Sequence, residues 1–215
     1  MDSASTFLGT GGNWYSTTSK TPAAIHADLK TWFAGNYIVT TGTISNPTGG
    51  IVGGHAYSVL GAYTLPASTQ YPNGVLLVKL RNPWGNTEST LTFNDADTIW
   101  TSVPAYATAV GFVNKNDGDF FLQVTDFAAQ FSFVSYNLDP TPLKNSYWLA
   151  INNADTYGVA GTSSYCGATC KRTLFTVTSA VAQTVYLSVN LHDVRQYVES
   201  PCTNADYSTA SPYKY

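Results

Sequence analysis

The chain has 215 residues and a formal net charge of −3; 44% of it is hydrophobic and only 11% is charged, against a usual charged share of ~25%. That balance provides for a buried core and excludes a basic nucleic-acid footprint. No apolar run approaches the ~18 residues that span a bilayer, so no transmembrane segment is expected, and Met1-Asp2-Ser3-Ala4-Ser5 lacks the basic-then-apolar pattern of a secretory signal, which points to a cytoplasmic protein.

In chain order, Gly9–Ser19 is rich in Gly, Ser and Thr and reads as a loop. Thr21-Pro22 then reads as an N-cap followed by proline at the first helical position. Ile25, Leu29, Trp32 and Phe33 share one helical face, and Gly35 is a natural C-terminal stop. Tyr37–Ile44 is β-branched and reads as a strand. A glycine-rich loop, Asn46-Pro-Thr-Gly-Gly-Ile-Val-Gly-Gly54, delivers His55 into a second strand, His55–Leu65. Pro66–Gly74 turns the chain, and Val75–Arg81 is a strongly apolar strand. Asn82-Pro83 ends it, because the residue before a proline stays extended and proline cannot continue a ladder. If the two strands pair as an antiparallel hairpin, His55 begins one and Asn82 ends the other. Both then sit at the same end, away from the connecting loop.

Farther on, Phe120–Val124 reads as a strand, Thr125–Phe131 as a short capped helix and Ser132–Leu138 as another strand. Asp139-Pro-Thr-Pro142 is a boundary, followed by strand-like pieces at Tyr147–Ile151, Arg172–Ser179 and Thr184–Leu191. An α+β part followed by an all-β part implies two domains. The three cysteines, Cys166, Cys170 and Cys202, all lie in the last quarter. Their odd number argues against a secreted disulfide scaffold. Cys166 and Cys170 have no second Cys/His pair at zinc-binding spacing, and structural zinc needs four ligands.

Two short segments carry the chemistry: Gly53-Gly54-His55-Ala56-Tyr57-Ser58-Val59, and Leu80-Arg81-Asn82-Pro83-Trp84-Gly85. Together they resemble the calpain family of cysteine proteases, with its catalytic histidine in a GHAYSV segment and its catalytic asparagine in RNPWG. Asp117-Gly118-Asp119-Phe120-Phe121 and Thr125-Asp126-Phe127 resemble the stretch that closes the protease core. The resemblance covers roughly residues 20–138.

The resemblance implies a Cys-His-Asn site acting on protein or peptide substrates. His55 would take the proton of a thiol, whose pKa such sites lower from ~8.5 toward 3–4, and later return it to the leaving amine. Asn82 would fix the imidazole. Trp84 would shield their hydrogen bond from water, which strengthens a polar contact. The family's nucleophile lies upstream of these two residues in a LGDCW-like segment, but no cysteine precedes His55 here. Losing the nucleophile costs about 10⁶ in kcat in subtilisin, so the chain alone is expected to be inactive. It is then a fragment of a longer protease (the reading we favour), a chain that pairs with a Cys-bearing subdomain, or a pseudoprotease retained for calcium or protein binding.

The resemblance also implies one Ca²⁺ held by Glu88, Asp95, Asp117 and Asp119 with the carbonyl of Lys115. Four carboxylates and a carbonyl are chemically adequate for a cation that takes six to eight oxygens. Ser89 and Phe93 stand where the family has tryptophans, and Asp119 where it has a longer Glu. Residues from about Leu143 resemble the start of the family's C2-like β-sandwich. The expected organisation is therefore α+β: residues 1–138 a papain-like protease subdomain of antiparallel strands and short helices, and 139–215 an incomplete all-β sandwich.

Overall fold

The computed structural model describes residues 12–139, 141, 157–158, 171–172, 178 and 181–182. Contacts divide the chain into two units, Ser3–Pro142 and Leu143–Tyr215 apart from the first two residues. All the described helices and the larger of the two sheets lie in the first unit.

The first helix, α1 (Pro22–Ala34), begins as its sequence dictates. Thr21 is extended, its hydroxyl accepts the Ala24 N–H at 3.3 Å, and Pro22 follows at the first turn. Ile25 and Leu29 are fully buried, each contributing about 1.5–3 kcal/mol relative to exposure. The stop falls at Gly35 as expected, but the left-handed turn comes one residue later. Gly35 receives the helix end at φ −91, and Asn36, at φ 58, makes the left-handed step, which Asn tolerates better than other side-chain-bearing residues.

A six-stranded antiparallel sheet forms the body, in the order β1-β6-β2-β3-β4-β5. Its strands are β1 (Gly12–Ser16), β2 (Tyr37–Thr43), β3 (Ala56–Leu65), β4 (Val75–Arg81), β5 (Asp119–Gln123) and β6 (Phe131–Leu138). The short helices α2 (Ile99–Ser102), α3 (Pro104–Val110) and α4 (Val124–Gln130) complete an α+β fold. No helix among the described residues is long and apolar enough to cross a membrane.

The continuous apolar run of β4 has a simple cause: both its faces are buried. Val78 and Leu80 join Ile25, Leu29, Val39, Val59, Phe120 and Phe127 in one core. Val75 and Leu77, on the opposite pleat, join Phe93, Ile99, Trp100 and Tyr106 in a second. Helices α2 and α3 cover that second face. At four and seven residues they are too short to announce themselves by periodicity.

Several boundaries shift. The stretch expected as a loop contains β1, paired from Gly12↔Asn137 to Ser16↔Phe133. A Cβ on Gly12 would lie 1.9 Å from Asn137 Oδ1, so only glycine allows this crossing. Strand β3 starts at Ala56, leaving His55 just outside it. Helix α4 starts at Val124 with no side-chain cap, so Thr125 lies inside it. In the tail, β7 (Tyr157–Gly158) and β8 (Lys171–Arg172) pair antiparallel. The strands expected at 147–151 and 184–191, most of that at 172–179, and the three cysteines lie outside the described residues.

Candidate active site

The site forms where β2, β3 and β4 end near one another. Antiparallel pairing of β3 with β4 sets Ser58 opposite Arg81, with a bulge between Val59 and Gly61. His55 therefore arrives beside Asn82. The glycine-rich loop leading to it is pinned at several points. Gly54, at φ 61, turns the chain immediately before His55, and its N–H donates to Ile44 O at 3.1 Å. The Val52 N–H donates to the Tyr57 hydroxyl at 3.0 Å. Burial pushes the Tyr57 phenol above its usual range, so it stays a neutral post for that contact. Thr43 binds the backbone of His55 from the side: its hydroxyl oxygen accepts the His55 N–H at 2.9 Å, and its own N–H donates to His55 O at 3.0 Å.

Asn82 is fully buried, and each polar atom of its side chain has a partner. Oδ1 lies 3.0 Å from His55 Nε2 and accepts the Trp84 N–H at 3.1 Å. Nδ2 donates to Thr87 O at 3.0 Å. These partners settle the orientation of the amide. A backbone N–H can only donate and a backbone carbonyl can only accept, so the atom facing Trp84 is the oxygen. The same oxygen then requires His55 Nε2 to be the N–H. In the neutral ring Nδ1 is left with the lone pair, and it has no hydrogen-bond partner among the described residues. Thr87 reaches its position at φ 61, an uncommon conformation for a β-branched residue.

Two aromatic rings flank the imidazole. Tyr57 stands edge-on with ring centres 5.0 Å apart, and Trp84 lies at 4.5 Å, tilted by 44°. Trp84 is itself 59% exposed, so it covers one side of the ring while remaining at the surface.

The residues expected to bind calcium are brought into one neighbourhood but not into a cation site. Among the described residues, no group of three or more His, Cys, Asp or Glu side chains is arranged to hold a metal ion. The reason is that each expected ligand is already engaged. Glu88 Oε1 accepts the N–H groups of Asp117 and Gly118 at 2.9 and 2.8 Å. Asp95 accepts the Lys115 N–H at 2.8 Å, and the Lys115 carbonyl accepts the Asp117 N–H at 2.8 Å. Asp119 is held between Arg81 at 2.8 Å and Lys79 at 3.1 Å, and Asp117 faces Lys115 at 3.4 Å. Burial raises the Asp95 carboxyl above its ordinary range, with the charges of Asp117 and Asp119 adding to it. The Asp119 backbone N–H, and secondarily Lys115, lowers that of Asp117. As arranged, these side chains do not form a cage that fits Ca²⁺.

Sequence reasoning passed over Thr43, the Tyr57 hydroxyl, the Thr87 carbonyl and the Gly118 carbonyl, which accepts the Asn82 N–H at 2.8 Å. Gly118 carried a signal as the glycine of an Asn-Asp-Gly turn, and Tyr57 as a member of the segment around His55. Thr87 acts through its backbone carbonyl, and Thr43 from the neighbouring strand β2. A shallow, open depression of about 380 Å³, lined by Thr21, Pro22, Gly74, Val75, Gln123 and Thr125 among others, lies at the opposite end of β4 from Asn82 and takes no part in this arrangement.

Comparison with known proteins agrees with the geometry. The profile described as "Calpain family cysteine protease" matches residues 2–136. The calpain-1 catalytic subunit of Macaca fascicularis is 38% identical over 96 residues, which is 44% of this chain and 13% of that protein. The Homo sapiens calpain-1 catalytic subunit is 36% identical over the same length and shares. Calpain-12 of Mus musculus is 35% identical over 85 residues, 40% of this chain and 11% of the relative. The chain thus matches only a small part of the length of these relatives. With the family profile covering more than half of its residues, the chain belongs to the calpain family of cysteine proteases.

Proposed function

We propose that this chain supplies the histidine–asparagine half of a thiol endopeptidase site, completed by a Cys-bearing subdomain. The observation that carries this reading is the shared Asn82 oxygen. Because Trp84 N–H and His55 Nε2 both point to it, the imidazole presents Nδ1 as its free base. In the completed site Nδ1 takes the thiol proton. The resulting thiolate attacks the peptide carbonyl carbon, and the imidazolium returns the proton to the leaving amine. Water then cleaves the thioester by the same acid–base route. Asn82 does not exchange protons; it keeps the ring in one tautomer and one orientation. Trp84 keeps bulk water off one side of the contact.

No cysteine precedes His55 in these residues, so the proposal makes this chain inactive by itself. Thiols stay reduced in the cytoplasm, which supports placing the activity there. Since the expected ligands do not fit Ca²⁺ as arranged, no step is assigned to calcium.

The test is complementation. A separately produced Cys-bearing first subdomain of a calpain-family protease is mixed with this chain, and hydrolysis of a casein-type substrate is followed. Turnover that needs both parts and disappears with His55→Ala is the expected result. A folded, associated pair without turnover would favour the pseudoprotease reading, in which the chain only binds.

A further inference from the structure

Glu88, one of the residues expected to bind a cation, also contacts the backbone through its carboxylate. A single oxygen, Oε1, accepts the backbone N–H groups of Asp117 and Gly118. The carbonyl of that same Gly118 accepts the backbone N–H of Asn82 at 2.8 Å. The turn is pressed close: a Cβ on Gly118, which has φ +86, would lie 2.8 Å from Asn82 O and 3.1 Å from Asn86 N. Asn82 in turn fixes His55 Nε2. A continuous relay of hydrogen bonds thus runs from the Glu88 carboxylate through the Gly118 residue to Asn82 and the imidazole.

We infer that Glu88 is a positioning residue for the His–Asn pair, acting through the 117–118 turn. The inference rests on the proposed function, since it concerns the same pair. Three observations support it. The two bonds to Oε1 involve an ionised acceptor, and such bonds are about twice as strong as neutral ones. The turn they hold meets the Asn82 N–H through the Gly118 carbonyl, and glycine has no side chain with which to offer a second contact. And Asn82, being wholly buried, has no water with which to replace a lost backbone partner. If the carboxylate is removed, the turn loses two anchors, the Gly118 carbonyl drifts, and the Asn82 backbone is no longer held at the depth that places Oδ1 against the imidazole.

The experiment uses the full 215-residue chain, ¹⁵N-labelled, observed by NMR at the His55 ring N–H and by amide hydrogen exchange. In the unmodified protein a distinct His55 Nε2–H resonance and slow exchange at the Asn82 and Gly118 amides are expected. Glu88→Ala is expected to speed exchange at those two amides by about tenfold or more, the scale of losing bonds to a charged group, and to broaden or abolish the Nε2–H resonance. The amides of Leu80 and Leu122 should keep their rates. Glu88→Gln retains an acceptor oxygen and should restore most of the protection and the ring signal.

Unchanged Asn82 exchange in Glu88→Ala would overturn the inference. So would a parallel rise at Leu80 and Leu122, which would mean general loosening rather than positioning. Asn82→Ala separates the role of Glu88 from that of the His–Asn pair. If the Nε2–H resonance survives it, the His–Asn bond itself, and with it the proposed function, fails. If it vanishes there yet persists in Glu88→Ala, only the role of Glu88 fails.

Discussion

Thr43 grips the backbone of His55 on both sides, accepting its N–H at 2.9 Å and donating to its carbonyl at 3.0 Å. The same hydroxyl gives its proton to Val52 O at 2.8 Å. One side chain from the end of β2 therefore ties the histidine to the glycine-rich loop that delivers it. The two residues stand apart in sequence, and the catalytic proposal depends on their contact as much as on Asn82.

Thr43→Val keeps the shape of the side chain and removes its hydrogen bonds. It leaves the His55 N–H and the Val52 carbonyl without partners. The expected cost is about 1–3 kcal/mol, read as a lower urea midpoint. Thr43→Ser, which keeps the hydroxyl, should recover most of it. Equal stability of the valine variant and the original would show that the contact carries nothing.

Trp84 should separate stability from activity. It is 59% exposed, so Trp84→Ala is expected to change folding stability by less than about 1 kcal/mol. In the complemented enzyme the same change should lower kcat/KM by about tenfold, equivalent to about 1.4 kcal/mol of barrier, because the ring that stood at 4.5 Å no longer covers the imidazole. Full activity in the variant would remove the shielding role.

His26 predicts a pH dependence. It lies on the buried face of α1, and its Nε2–H donates to Tyr63 O at 2.9 Å. Burial lowers its pKa from 6.5, partly offset by the Tyr63 and Leu77 carbonyls. The unfolded chain therefore binds this proton more readily than the folded one, and stability rises with pH across the interval. The contribution is complete above pH 6.5 and is lost as pH falls through the lower folded value. One group gives a slope of at most about 1.4 kcal/mol per pH unit. Urea midpoints at a series of pH values, compared with His26→Gln, check this. The difference between the two proteins should shrink toward acid, and a constant difference would contradict it.

Calcium should bind poorly to this unit. Coordination through Asp119 requires releasing it from Arg81 and Lys79, and coordination through Glu88 requires freeing two N–H groups. The expected calorimetric result is no saturable heat below about 10⁻⁴ M Ca²⁺, the weak end of the protein range. Saturation at lower concentrations, abolished by Asp117→Ala, would show that the present arrangement is only one of two.

Much of this protein could be read from local pattern. Helix α1 carries its own start in Thr21-Pro22, and β4 its own burial in an unbroken apolar run. His55 and Asn82 stand in two recognisable segments, and the hairpin joining them lies within 30 residues or so, short enough for sequence spacing to foretell their meeting. These features rest on neighbours in the chain, and their physics is fixed before folding.

The tertiary structure decided the rest. Strand β1 exists only because β6, more than a hundred residues away, offers an edge; Thr17 Oγ1 likewise bonds to Phe131 O across 114 residues. Helices α2 and α3 are stabilised by the apolar back of β4 and not by their own few residues. The family resemblance marked Glu88 and Asp119 as cation ligands. Whether a carboxylate faces a metal, an arginine or two peptide N–H groups depends on which distant backbone the fold brings within 3 Å or so, and sequence spacing does not encode that.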